Sequence, residues 1–256
     1  MKPRAVVSLF LAALLSSCAA RGTPATAAPL PWDDAQQLVL VLVPDWDSNT
    51  GTLQRYGREG DGWKAIGAAA EITVGRAGVA WGIGLHPRQA DGPQGAPVKR
   101  EGDGRAPAGV FALGDAFGYA ADADTRLPYL ALGESQYCID VDGSPLYNRI
   151  VDAKDVGAGA VKDSTEPMRR DLHANGDQRY REGFVIRHNP RNVSGMGSCI
   201  FAHLWKAPGE PTAGCTAMAP ATMEALLAWL DPARKPVFVL LPQAEHERLK
   251  AAWRLP

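Results

Sequence analysis

From residue 57 to residue 118 glycine recurs every few positions, often with proline or aspartate beside it. Inside a helix glycine is about 1 kcal/mol worse than alanine and proline about 3 kcal/mol worse. The stretch therefore excludes long helices and calls for short extended segments joined by tight turns. The candidate strands fit that demand. Residues 38–43 form an unbroken apolar run closed by Pro44, and 52–56, 63–66, 72–74, 110–113 and 137–141 are further short candidates. Residues 152–181 are polar and predict irregular chain with a helical piece around 166–172. Candidate strands at 184–188 and 198–205 flank a loop at 189–197. After Cys215 the pattern turns helical, with Pro220 in the first turn and Met223, Leu226, Leu227 and Leu230 at helical spacing. A buried strand at 236–241 and a terminal helix at 245–253 follow. The expectation is a mainly β body, a sandwich or barrel with a few short helices.

The N-terminus has its own grammar. Lys2 and Arg4 precede an uncharged apolar run over 5–15, too short to span a bilayer, and Leu15-Ser16-Ser17-Cys18 closes it. That ending resembles a lipobox, in which the cysteine is acylated and becomes the mature N-terminus. Residues 1–18 are thus expected to be a lipoprotein signal. Ala19 after the cysteine implies the outer membrane of a Gram-negative cell, with the body facing the periplasm and only the lipid touching the membrane. Residues 19–35, rich in Ala, Pro and Thr, read as a disordered tether. The expected catalytic body is 36–242 and the expected helical tail is 243–256. The formal net charge of −1 offers no field for nucleic acid.

Cys215 lies in Thr212-Ala213-Gly214-Cys215-Thr216, between a Pro- and Gly-rich loop and the expected helix. N–H groups near a helix start lower a thiol pKa and stabilise an oxyanion, and Gly214 lets the backbone approach a substrate carbonyl. A thiol also needs a base. On a strand, Cys199, Phe201, His203 and Trp205 share one face and Ile200, Ala202 and Leu204 the other, so a return of the chain to the sheet brings His203 toward Cys215. No histidine has ligand spacing and no Cys-x-x-Cys occurs, so neither metal nor cofactor is expected.

Residues 197–203, Gly-Ser-Cys-Ile-Phe-Ala-His, followed by Pro211-Thr212-Ala213-Gly214-Cys215, resemble the catalytic motif of the L,D-transpeptidase (YkuD-type) family. Pro107-Ala108-Gly109-Val110-Phe111 is similar to that family's Pro-x-Gly-x-Phe region. The resemblance implies Cys215 as nucleophile, His203 as base held by a backbone carbonyl, and backbone N–H groups around Gly214, Cys215 and Thr216 for the oxyanion. It implies peptidoglycan stem peptides as substrate. The chain departs from the family pattern after the motif, where Ala217 stands in place of an arginine. Arg100, Arg105, Arg187 or Arg191 are the alternatives for that charge, and Arg187, Asn189, Trp205 and Thr212 are candidate substrate contacts. A hydrolase on the same site (L,D-carboxypeptidase or endopeptidase) and a non-catalytic envelope-binding lipoprotein are the alternative functions. With Cys18 acylated and Cys215 kept as a thiol, Cys138 and Cys199 form an even remainder in an oxidising compartment, and a bridge between them is expected.

Overall fold

The computed structural model describes residues 28–87 and 95–256. The expected signal 1–18 with Cys18, and positions 19–27 of the expected tether, lie outside the described residues. The first half of the chain forms β1 (Gln37–Val43), β2 (Thr50–Glu59), β3 (Gly62–Thr73), β4 (Val79–Trp81), β5 (Ala106–Gly118), β6 (Tyr129–Ala131) and β7 (Gln136–Cys138). Then come β8 (Ile150–Asp152), α1 (Ala153–Val156), α2 (Ala158–Val161), β9 (Glu166–Pro167), β10 (Glu182–Ile186) and β11 (Phe201–Leu204). β12 (Thr216–Met218), α3 (Pro220–Trp229), β13 (Val237–Pro242) and α4 (Gln243–Trp253) complete the fold, which is mainly β.

The large sheet runs β10-β11-β12-β3-β2-β1-β13-β5-β4, and β10 also pairs with β5, closing a barrel-like ring. β1 lies between antiparallel β2 and parallel β13. Six of its seven residues are buried, because an inner strand covered on both faces needs an unbroken apolar run rather than an alternating one. A second, three-stranded sheet, β8-β7-β9, sits apart from the ring.

β11 is the wall between two cores. Ile200, Ala202 and Leu204 enter the main core with β1, β13 and α3. Cys199 and Phe201 enter a smaller cluster with Phe117, Cys138, Met168, Tyr180 and Cys215. Cys138 and Cys199 are joined by a disulfide, with Cα atoms 5.8 Å apart across a separation of 61 residues. It ties β7 of the small sheet to the approach of β11.

Several expectations are corrected. Residues 63–66 and 72–74 belong to one strand, β3, because Gly67 takes φ +70° at a register shift against β2 and bulges the strand without ending it. Glu166 is on a strand, and the helical turns of this region lie at α1, α2 and a 3-10 segment over Arg170–Asn175. Trp32, placed in the tether, is buried edge-on against Trp253 and gives its Nε1–H to the Trp253 carbonyl at 2.9 Å. The packed body therefore begins before residue 36. The terminal helix is part of that body, since Leu249, Trp253 and Leu255 fill the main core.

Candidate active site

β11 and β12 run parallel, with Ala202 opposite Thr216 and His203 opposite Ala217. Extending that register by one residue sets Phe201 opposite Cys215. Parallel partners point to the same face, so Phe201, His203, Cys215 and Ala217 share one side of the sheet. His203 is then the diagonal neighbour of Cys215, at roughly 8 Å between backbones for strands about 4.8 Å apart and a rise of about 3.3 Å per residue. Both side chains line one cavity of ≈ 310 Å³, together with Glu166, Arg179, Tyr180 and Thr212.

The thiol is held from the β11 side. Phe201 N–H donates to Cys215 Sγ at 3.3 Å, and Sγ donates to the Cys199 carbonyl at 3.4 Å. Cys199 can present that carbonyl because it takes the left-handed conformation, φ +56°, with its own N–H given to Asn148 Oδ1 at 2.9 Å. Burial pushes the Cys215 thiol up to about 12, and the charge of Glu166 adds to it.

His203 lies 2.7 Å through Nδ1 from the Leu204 carbonyl. A carbonyl has no proton to give, so Nδ1 carries the hydrogen and Nε2 has the free lone pair. Burial pushes this imidazole down to about 4. At neutral pH thiol and imidazole are therefore both uncharged, and His203 is the tautomer that accepts a proton at Nε2. The Tyr180 ring meets it edge-on at 5.5 Å between centroids.

Cys215 does not start a helix. Strand β12 follows it directly and α3 begins at Pro220, so no helix N-terminus supports the thiol. Ala217 and Met218 are apolar enough for either element, and pairing with both β11 and β3 selects the strand. Thr212 shapes the turn before the thiol: its Oγ1 donates to the Cys215 carbonyl at 2.7 Å and accepts Gly214 N–H at 3.0 Å. Gly214 N–H is thus already engaged. A Cβ at this position would come within 3.0 Å of the Arg105 carbonyl, so its lack of a side chain serves packing. Thr216 is buried within β12.

The other candidates lie elsewhere. Trp205 leaves the face of His203 at the end of β11, donates Nε1–H to Thr73 Oγ1 at 2.9 Å and lines a different cavity beside Thr50 and Pro208. Asn189 is fully buried and braces its own loop through Val193 and the Gly197 carbonyl. Arg187 binds the Leu113 carbonyl at 3.1 Å. Arg100 reaches Met196, Arg105 pairs with Asp47, and Arg191 is exposed on the 189–197 loop. None of these four arginines lines the Cys215 cavity, whereas Arg76 and Arg179 do.

Glu166, Arg179 and Tyr180 were not anticipated from the sequence. One signal pointed toward the last two. They stand just ahead of the strand that pairs with the His203 strand, so the chain there has to pass near His203. Comparison with family models, with curated proteins and with solved structures returns no match.

Proposed function

We propose that this protein is a cysteine-dependent acyltransferase of the L,D-transpeptidase type, acting on peptidoglycan stem peptides with Cys215 as nucleophile and His203 as base. The observation that carries the reading is the tautomer of His203. Its Nδ1–H is fixed on the Leu204 carbonyl, which leaves Nε2 as the proton acceptor, and His203 lines the same cavity as the free thiol Cys215. The motif resemblance supplies the substrate class, and the lipobox-like ending at Cys18 supports a body held on a lipid tether facing the cell wall. The L,D-transpeptidase fold belongs to the same proposal.

Both groups start neutral, so proton transfer accompanies attack. As Sγ bonds to the amide carbon, its proton passes to His203 Nε2, and Phe201 N–H steadies the charge left on sulfur. The carbonyl oxygen becomes an oxyanion, and Gly214 N–H reaches it only by leaving Thr212 Oγ1. Collapse breaks the C–N bond, and His203 Nε2–H protonates the departing amine, leaving a thioester. An incoming amine then gives its proton to Nε2 and takes the acyl group, and Sγ recovers the proton.

Product analysis of stem peptides incubated with the protein and an amine acceptor tests the reading. Acceptor-containing product that vanishes in Cys215→Ser supports it. Hydrolysis alone, equally dependent on Cys215, replaces transpeptidation by the carboxypeptidase or endopeptidase activity. Unchanged peptides overturn both.

A further inference from the structure

The Cys215 cavity contains a carboxylate that acyl transfer through Cys215 and His203 does not use. Glu166 stands on β9, in the small sheet that the disulfide joins to β11. Its Oε1 accepts the hydroxyl proton of Tyr180, and Oε2 has no hydrogen-bond or ion-pair partner among the described residues. Arg179, whose charge acts on Glu166, makes its hydrogen bonds to Asp177 through both Nε and a terminal nitrogen. Arg76, Lys206 and Glu210 are exposed at the rim of the cavity.

The position of this charge matters for the nucleophile. After burial, Glu166 is the next largest influence raising the Cys215 thiol, and it acts on Tyr180 in the same sense. Burial also raises Glu166 itself to about 7, with Asp140 and Asp177 adding to the rise and Tyr180 and Arg179 opposing it. Near pH 7 Glu166 is charged only part of the time; in that form it opposes negative charge on the sulfur, which Lys99 and Arg179 favour, and a further cation at Glu166 tips the balance toward attack. A protonated primary amine supplies three donors and one positive charge to the open Oε2, whereas a neutral donor brings a hydrogen bond without the charge and an anion is repelled.

Resting on the acyl-transfer reading, we propose that Glu166 is a specificity-determining residue that receives the free, protonated amine of the peptide acyl donor in the Cys215 cavity. Donors whose amine is acylated are then poor substrates twice over: they bind less tightly, and they leave the thiol high.

Two readouts on the full-length protein test this, one of them independent of turnover. The first compares labelling of Cys215 by cationic aminoethyl methanethiosulfonate and neutral methyl methanethiosulfonate at pH 7, followed at the Cys215 peptide by mass spectrometry. In each case Sγ attacks the sulfenyl sulfur, an S–S bond forms, methanesulfinate leaves and the thiol proton passes to His203 or water. The cationic-to-neutral rate ratio is expected to fall about tenfold, the effect of one pKa unit, in Glu166→Gln. It should be retained in Glu166→Asp, which keeps the charge, and in Tyr180→Phe. The second readout is kcat/KM for a stem-peptide donor with its amine free or acetylated, a preference expected in the native protein and lost in Glu166→Gln. A labelling ratio unaffected by Glu166→Gln overturns the inference, even if peptides are turned over. A ratio that falls as expected while the native protein processes no peptide keeps the amine site and removes the acyl-transfer reading.

Discussion

Phe201 N–H meets Cys215 Sγ at 3.3 Å, on the same four-residue strand whose third residue is His203. One strand thus carries both His203, the proposed base, and a hydrogen-bond donor for the sulfur. Because the other face of that strand is packed into the main core by Ile200, Ala202 and Leu204, neither group can move without disturbing the barrel.

His188 and His203, two of the four buried histidines among the described residues, should separate the proposed chemistry from the scaffold. His188 accepts the Ile83 N–H at Nδ1 and donates through Nε2 to the Met196 carbonyl at 2.9 Å, so it pins the loop between β10 and β11. His188→Gln should lower the unfolding midpoint while leaving kcat within a few-fold. His203→Gln should lower kcat by about 10²–10⁴-fold, the usual range for a general base, with a smaller effect on stability. Denaturant melts and peptide kinetics on both variants check the split. Equal kinetic losses would contradict it.

Acid should destabilise the fold before carboxylates of ordinary pKa titrate. Burial holds His188 and His203 at about 4, against about 6.5 in an unfolded chain. The unfolded state binds their protons first, so the stability they contribute is complete above about pH 6.5 and is lost as pH falls toward 4. Glu166, raised to about 7, has the opposite sign: its contribution is present at low pH and is lost as pH rises to 7. Two imidazoles outweigh one carboxyl. The unfolding free energy should therefore fall between pH 6.5 and 4.5, with a slope shallower in His203→Gln by up to about 1.4 kcal/mol per pH unit. Urea titrations at fixed pH values measure it.

Thr212 ties the turn before Cys215 at two points. Thr212→Val removes the hydroxyl from the Cys215 carbonyl and from Gly214 N–H, and should destabilise the protein by about 1–3 kcal/mol. Labelling of Cys215 should become faster and less selective as the turn loosens, while turnover falls. Thr212→Ser, which keeps the hydroxyl, should restore both. Thiol labelling and thermal melts on the pair decide.

The Cys138–Cys199 bridge closes a separation of 61 residues. In the loop-entropy model a loop of that length is worth about 4 kcal/mol. Replacing both cysteines by alanine should lower the unfolding free energy by that order. It should also lower kcat, since Cys199 is the residue whose carbonyl receives the Cys215 thiol. A variant equally stable and equally active would contradict both parts.

The β character and the two faces of the His203 strand were legible because each is written in a local pattern, turn residues every few positions and alternation about His203; the strand itself is shorter than the expected 198–205, ending at Leu204, so Trp205 leaves the His203 face on which alternation put it. That Cys215 and His203 come to one cavity was legible because a parallel return brings together residues only twelve apart. Glu166 and Tyr180 were not, because they reach the cavity from a polar stretch without periodicity, folded back by a small sheet and a disulfide. Trp32 was hidden by its Ala- and Pro-rich surroundings, since nothing nearby in sequence announces its contact with Trp253 across 221 residues. The element after Cys215 was misread because three apolar-compatible residues fit a short strand as well as a helix start, and only pairing with β3 and β11 decides between them.

The central claim is that Cys215 forms a thioester with help from His203. Intact-mass analysis after quenching the protein with a stem-peptide donor tests it most directly. The account predicts a mass increase equal to the donor less its departing amine component, located on the Cys215 peptide, much reduced in His203→Gln and absent in Cys215→Ser. Donor turnover that proceeds undiminished in Cys215→Ser, with no adduct on the native protein, would contradict it.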